Sequence, residues 1–459
     1  MNKTTFLLAS FIALVSVVPV NAQYSLTGVW EGGITIPGGT LEIIFKVEGE
    51  QGNYSGTIDI PQQGARNLRL STVTQNADSA TFTFSAGAVT GTFSGVFESE
   101  SKISGTYTQG PGVTTFSIER TSESTTSNKP ENEKDFVIKN GAVDIGGTLT
   151  IPDGEAKGPL VIMSSGSGAQ DRDSNVFEFK IFAIIAQHLA KNGIPSFRYD
   201  DRSIGKSTGN FGNATIQDLT SDVTAIINFF ENHDTHTYNE FITLGHSQGG
   251  VVAGSAARSS NAVKGVILVA SMATSMKDIL RYQVEFAYKQ ANLDAALIEE
   301  EIQAREQIMD AVANNSDLDG AKNAYIEVYR KVLDALPDSG IDKDQFANRN
   351  ASQLVAIYNS PQTKSLLFYE PTDDIKELTV PALVLYGSKD TQVTIDQHKG
   401  ITETALKAAG VPYEIKEFEG ANHLFQAANT GLVPEYQTLP KEFVDGFLDS
   451  ITQWILNNQ

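Results

Sequence analysis

The apolar pattern of this chain changes period once, between residues 120 and 135, and that change calls for two folding units of different class. Before it the period is two. "TLEIIFKV" (40–47) puts Leu41, Ile43, Phe45 and Val47 on one face and Glu42 and Lys46 on the other. "NYSGTIDI" (53–60) and "ATFTFSAGAVTGTFSGVF" (80–97) alternate in the same way. Turn signals such as Pro37-Gly38-Gly39 and Gly49-Glu50-Gln51-Gly52 recur about every eight to twelve residues. Strands of this kind bury one face only. About eight in succession predict an antiparallel barrel or sandwich over residues 23–120. The polar, aperiodic "TSESTTSNKPENEK" (121–134), with Pro130, reads as a linker.

From residue 135 strands alternate with helices. "PLVIMSSGSG" is a continuous apolar strand running into a glycine loop, and "FKIFAIIAQHLAKNG" a helix stopped by Gly193. "IPSFRYDDRSIG" is again strand and loop. "IQDLTSDVTAIINFF" repeats its apolar residues at helical spacing through Ile216, Leu219, Val223, Ile226 and Phe230. "EFITLGHSQGG" returns to strand. Strands apolar on both faces need cover on both sides, which amphipathic helices supply, so residues 135–459 predict an α/β domain with a parallel sheet. After "KGVILVAS" (264–271) a long stretch rich in Ala, Glu, Gln and Lys predicts a helical cap over about 273–375. "VPALVLYGSKD" (380–390) and "VPYEIKEFEGANH" (411–423) resume the sheet, and "EFVDGFLDSITQWIL" predicts a closing helix.

Composition narrows the function classes. Residues 1–22 read as a secretory leader: Lys3, the apolar run from Phe6 to Val18, and Val20-Asn21-Ala22 before a cut at Gln23. The run is shorter than the roughly 20 residues a membrane span needs, and no later segment qualifies. The expected mature protein is therefore exported, to periplasm or medium. Without cysteine the chain has no disulfide, thiolate nucleophile or Cys-based metal site. Its formal charge of −21, about −22 once Lys3 leaves with the leader, disfavours nucleic acid and anionic membrane surfaces as partners. Oligomeric state has no signature in the sequence.

The chemistry centres on Gly245-His246-Ser247-Gln248-Gly249. A serine with a glycine two residues to either side, after a strand and before a helix, is the pattern of a nucleophile held on a strained turn above the carboxyl edge of a sheet. Its hydroxyl needs a base. Of six histidines, His246 lies inside the motif with its ring expected to point away from Ser247. His188 lies on a helix, His233 and His236 precede the nucleophile strand, and His398 falls in a further helix. His423 in "FEGANHLF" follows the last strand, where the loops converge, and is the expected base. Asp390, on the loop after "ALVLYGSK", is the expected orienting carboxylate, with Asp396 a weaker alternative; the order Ser247, Asp390, His423 is the one used by this class of fold. The Gln248 N–H opens a helix and supplies one oxyanion donor; the Ser167 N–H, in "MSSGSGAQDRD", is the expected second. No Lys-Ser/Thr pair and no GxGxxG follows that glycine loop, so no nucleotide cofactor is expected, and no His-x-x-x-His or acidic ligand cluster suggests a metal.

The motifs "GSGAQDRD" (166–173), "DDRSIGKS" (200–207) and "GHSQGG" (245–250) give residues 140–459 a resemblance to the α/β-hydrolase superfamily, and within it to bacterial secreted serine esterases that carry an N-terminal β domain. The resemblance implies a Ser247–Asp390–His423 triad, with Asp201 and Arg202 bracing loops beside it. Many relatives have His-Gly where Ser165-Gly166 stands, and Ser203 replaces a usual glycine. The expected activity is hydrolysis of small-molecule carboxylic esters, of small to medium acyl chains, through an acyl-enzyme. Phe286, Tyr288, Tyr325 and Tyr329 of the cap are expected to cover the acyl pocket or to pack among themselves. A serine aminopeptidase-like hydrolase of the same fold would need a carboxylate for the substrate amine. A third reading makes the barrel a ligand-binding module and the hydrolase secondary.

Overall fold

The computed structural model describes residues 24–36, 39–61, 65–86, 89–110, 112–121, 129–337 and 340–458. The expected leader (1–22) and residues 122–128 of the expected linker lie outside the described residues.

Strands β1 (Gly28–Ile36), β2 (Gly39–Glu50), β3 (Asn53–Ile60), β4 (Ala65–Asn76), β5 (Ser79–Ala86), β6 (Val89–Ser99), β7 (Lys102–Gln109) and β8 (Gly112–Arg120) each pair antiparallel with the next. The sheet closes as β1 meets β8, from Trp30 opposite Arg120 to Ile34 opposite Phe116. Of the two architectures open to such strands, the barrel forms. The inward residues of the period-two pattern make its core: Trp30, Ile43, Phe45, Val47, Phe82, Phe93 and Ile118 are all fully buried. Each such aromatic contributes on the order of 2 kcal/mol by burial. Trp30 also donates through Nε1 to the Leu26 carbonyl at 2.8 Å, and Arg120 lies 4.2 Å above its ring.

The second sheet contains β9 (Glu133–Asn140), β10 (Val143–Thr150), β11 (Leu160–Ser164), β14 (Ser196–Tyr199), β15 (Phe241–His246), β16 (Val263–Val269), β17 (Ala382–Gly387) and β18 (Tyr413–Phe418), in the order β18-β17-β16-β15-β11-β14-β10-β9. It is parallel from β18 to β14, whereas β9 and β10 pair antiparallel, as do β10 and β14. The sheet is thus mixed rather than wholly parallel, and β9 starts two residues inside the segment read as linker. A short hairpin, β12 (Asn175–Val176) with β13 (Phe179–Lys180), precedes the first helix.

Why the central strands are apolar on both faces is visible in β11. Leu160 and Ile162 pack into one core with α2 (Ile216–Glu231) and α3 (Gln248–Ser259), while Val161 and Met163 pack into the other with α1 (Ile181–Lys191) and α11 (Phe447–Asn457). Thr215 and Asp218 form a reciprocal cap that starts α2. The closing helix starts at Phe447, later than its apolar pattern suggests, because Gly446 at φ 78° breaks the turn before it. Between β16 and β17 stand α4 (Met276–Gln290), α5 (Ala295–Asn314), α6 (Leu318–Ala335), α7 (Lys343–Tyr358), α8 (Pro361–Leu367) and α9 (Pro371–Lys376); α10 (Ile395–Ala409) links β17 to β18. Among the described residues no helix is long and apolar enough to cross a membrane.

The barrel is stitched to the second sheet by backbone pairing. The segment 203–205 pairs with the start of β4, before its pairing with β5 begins at Leu70: Arg69 N donates to Ser203 O and Gly205 N to Asn67 O, both at 3.0 Å. Ile204 bridges Leu68 and is itself fully buried in the barrel core.

Candidate active site

Ser247 occupies the junction of β15 and α3 at φ 56°, ψ −122°. A non-glycine residue there stores about 1–3 kcal/mol of strain, which the surrounding packing must hold. Its N–H is tied to Val269 O at 2.9 Å and its carbonyl accepts from Gly250 N at 3.0 Å. The flanking glycines are required by space. A Cβ on Gly245 would stand 2.0 Å from Gly249 O, and one on Gly249 would stand 2.1 Å from Ser164 O. Ser247 keeps 9 % of its surface exposed, and among the described residues its hydroxyl makes no hydrogen bond. Catalytic hydrogen bonds are often unformed before substrate arrives.

Asp390 and His423 come from the loops after β17 and β18, at the carboxyl edge. His423 Nδ1 lies 2.7 Å from Asp390 Oδ2, and both side chains are buried. The other Asp390 oxygen accepts from Gln392 N at 2.8 Å and Val393 N at 2.9 Å, so the carboxylate is held from both ends. Asn422, fully buried, folds the histidine turn by accepting from Leu424 N and Gln426 N, each at 2.9 Å. Asp396, the weaker alternative, lies in the first turn of α10 and has no contact with the histidine.

His246 has a role its motif position did not reveal. Its Nε2 lies 2.9 Å from the His423 carbonyl, and the two rings sit 4.7 Å apart. Burial, then the neighbouring His423, push its pKa down to about 3. The neutral ring therefore carries its proton on Nε2 and donates to that carbonyl, tying the residue before Ser247 to the histidine loop.

The expected oxyanion donors lie on the same side. Gln248 is the first residue of α3, and the Ser167 loop approaches the elbow: a Cβ on Gly166 would be 3.4 Å from the Ser247 Cβ. Among the described residues, neither the Gln248 N–H nor the Ser167 N–H donates to a protein acceptor.

Acidic and basic motif residues lock this loop in place. Asp201 Oδ2 accepts from Ser165 Oγ at 2.7 Å and from Gln170 N at 2.9 Å. Burial, aided by Asp200 and Asp222, pushes its pKa up to about 7 against those two hydrogen bonds. Asp200 accepts from Arg172 N and Nε at 3.0 Å each. Arg202 grips Asp222 with Nε at 2.8 Å and Nη2 at 3.0 Å. Ser203, the departure from glycine, sits at φ 73°, the left-handed region that glycine favours. Its Oγ donates to Gly209 O at 3.0 Å, which compensates part of that strain.

The remaining histidines stand apart from Ser247. His188 Nε2 lies 3.4 Å from Asp449, and His233 and His236 pack edge-on against Phe136. His398 is fully buried and its Nδ1 accepts from Ala273 N at 3.1 Å, at the root of the cap. The cap tyrosines pack within the cap, one of the two arrangements expected of them. Tyr325 is fully buried and donates to Glu301 at 3.1 Å, Tyr288 donates to the same carboxylate at 3.2 Å, and Tyr329 stacks on Tyr325. They form the cap's own core because the buried Glu301–Arg305 pair needs hydroxyl partners. Phe286 instead lines a groove against the loop bearing Asp390.

An elbow serine and a histidine–aspartate pair thus stand at the carboxyl edge of one α/β sheet. The model of the serine aminopeptidase, S33, family matches residues 178–427, a span containing Ser247, Asp390 and His423. The chain belongs to this family. The S33 protein is 24% identical over 332 residues to esterase EstD of Thermotoga maritima, covering 71% of this chain and 67% of that one. An esterase of Pyrococcus furiosus is similar at 14% identity, covering 71% of this chain and 91% of its own, with a TM-score of 0.42. A proline iminopeptidase of Mycobacterium smegmatis is similar at 17% identity over 71% of this chain and 98% of its own, TM-score 0.42. The protein is a serine hydrolase of the α/β-hydrolase superfamily with an N-terminal eight-stranded barrel.

Proposed function

We propose that this S33-family protein is an exported carboxylesterase acting through an acyl-enzyme on Ser247. The observation that carries the reading is the 2.7 Å Asp390–His423 contact beside a serine on a strained turn. His423 Nε2 takes the proton of the Ser247 hydroxyl as its oxygen attacks the ester carbonyl. Asp390 fixes the tautomer and stabilises the imidazolium that forms. The Gln248 and Ser167 N–H groups receive the oxyanion. The intermediate collapses with cleavage of the acyl–oxygen bond, and His423 returns the proton to the departing alcohol. Water, deprotonated by the same histidine, then releases the acid and restores Ser247.

Ester rather than peptide substrates are supported by the likeness to esterase EstD. An aminopeptidase needs a carboxylate to hold a substrate amine, and the cap is rich in acidic residues, so the two bond types are separated by assay. Export rests on the leader-like residues 1–22, with the mature chain starting at Gln23. The test is hydrolysis of p-nitrophenyl esters from acetate to dodecanoate beside amino-acid p-nitroanilides, with wild type and Ser247→Ala in parallel. Ester turnover that prefers the shorter chains and disappears in the variant is expected. Turnover of anilides alone would transfer the assignment to peptide bonds.

A further inference from the structure

The barrel interior is not filled evenly. One half is a packed aromatic core, with Phe45 4.4 Å from Phe82 and 5.0 Å from Phe93, and Phe93 5.1 Å from Phe116, centroid to centroid. The other half opens into a cavity of about 700 Å³ walled by Ile34, Leu41, Ile60, Leu68, Phe84 and Tyr107. An eight-stranded barrel is wide enough either to be filled by side chains or to hold one small ligand, and among the described residues side chains fill one half only, leaving the other open at the barrel end.

We infer that the open end of the barrel is a binding site, separate from Ser247, for an uncharged small molecule with a largely apolar body and one polar group. No charged residue lines the cavity among the described residues, so an ionic ligand would lose its hydration without a partner. Tyr107 and Gln109, hydrogen-bonded to each other at 3.1 Å, supply the polar contact. At the rim two large apolar side chains stand in solvent, Ile36 at 41% and Val113 at 68% exposure, where a ligand entering the barrel would cover them. The volume falls within the roughly 300–1,000 Å³ of small-molecule sites. One wall is the part of β4 that carries Leu68, bridged on its far edge to Ile204, so the site adjoins the segment that braces the Ser167 loop.

The test uses the full mature chain and N-phenyl-1-naphthylamine, an uncharged apolar fluorophore, titrated against wild type, Ala65→Phe, Leu41→Trp and Val113→Asp. The first two variants fill the cavity, and the third sets a charge at its rim on an exposed residue whose substitution leaves the thermal transition in place. Saturable binding of one equivalent in wild type, weakened at least tenfold in all three variants, is expected. Equal affinity in wild type and Val113→Asp would place the probe elsewhere and overturn the inference, as would the absence of saturable binding to wild type. The readout does not depend on hydrolysis, so it stands apart from the esterase assay.

Discussion

Asp201→Asn isolates the buried carboxyl that holds the Ser167 loop. In the folded protein the Asp201 pKa is pushed up to about 7, against an ordinary value of 3.8. The folded state therefore binds its proton more tightly than the unfolded state. The group is without penalty below about pH 4, and stability is lost as pH rises through 7. At 1.36 kcal/mol per pKa unit, the full effect is about 4 kcal/mol, of which about 3 kcal/mol develops between pH 5 and pH 8.5. Asparagine keeps an oxygen to accept from Ser165 Oγ and Gln170 N but has no charge to bury. Wild type should thus lose about 3 kcal/mol more than the variant over that interval. The chain has two tryptophans, Trp30 in the barrel and Trp454 in α11, so in a Trp30→Phe background Trp454 reports the α/β unit alone. With a urea m-value near 3 kcal/mol/M, the gap appears as about 1 M in the midpoint. Parallel pH dependences of the two midpoints would show that Asp201 is ionised at ordinary cost, and the reasoning about its burial would be wrong.

Three further outcomes follow from the same structure. Asp390→Asn should lower kcat for p-nitrophenyl acetate by about 10³–10⁴ with little change in KM, because it removes the orienting carboxylate but not the pocket; a loss confined to KM would contradict the role. His246 and His398 are held neutral with pKa values of about 3 and about 4, so the unfolded state binds more protons as pH falls below 6.5, and stability declines from there toward pH 4. His398→Gln should flatten that decline in a differential scanning calorimetry series from pH 7 to 4. Ile204→Ala should destabilise by about 2–5 kcal/mol and lower the transitions seen at both Trp30 and Trp454, since a residue of one unit completes the core of the other.

Much of this architecture could be read from periodicity. The alternating Leu41, Ile43, Phe45 and Val47 define the inner wall of β2, and the two-faced apolar run in β11 announces a covered central strand. The strained turn at Ser247 was legible because Gly245 and Gly249 flank it, and the Asp390–His423 contact because each residue follows a strand of the parallel part of the sheet. What escaped the sequence depends on contacts between distant segments. Nothing local in "DDRSIGKS" says that Ile204 will enter a barrel built from residues 28–120, or that Ser203 will keep the left-handed backbone of the glycine it replaces. His246 looked inert because its partner is a backbone carbonyl 177 residues away. For the cap tyrosines the sequence left pocket cover and mutual packing both open, because aromatic residues on amphipathic helices carry no mark of which neighbour they face; in the structure Tyr288 and Tyr325 turn to the buried Glu301.

The central claim is that Ser247 is the activated nucleophile, and intact-mass spectrometry after treatment with a fluorophosphonate tests it most directly. One phosphonyl adduct per chain, mapped to the peptide bearing Ser247, absent in Ser247→Ala and strongly slowed in His423→Ala, is the expected result. An unmodified chain, or an adduct on another residue that persists in Ser247→Ala, would contradict it.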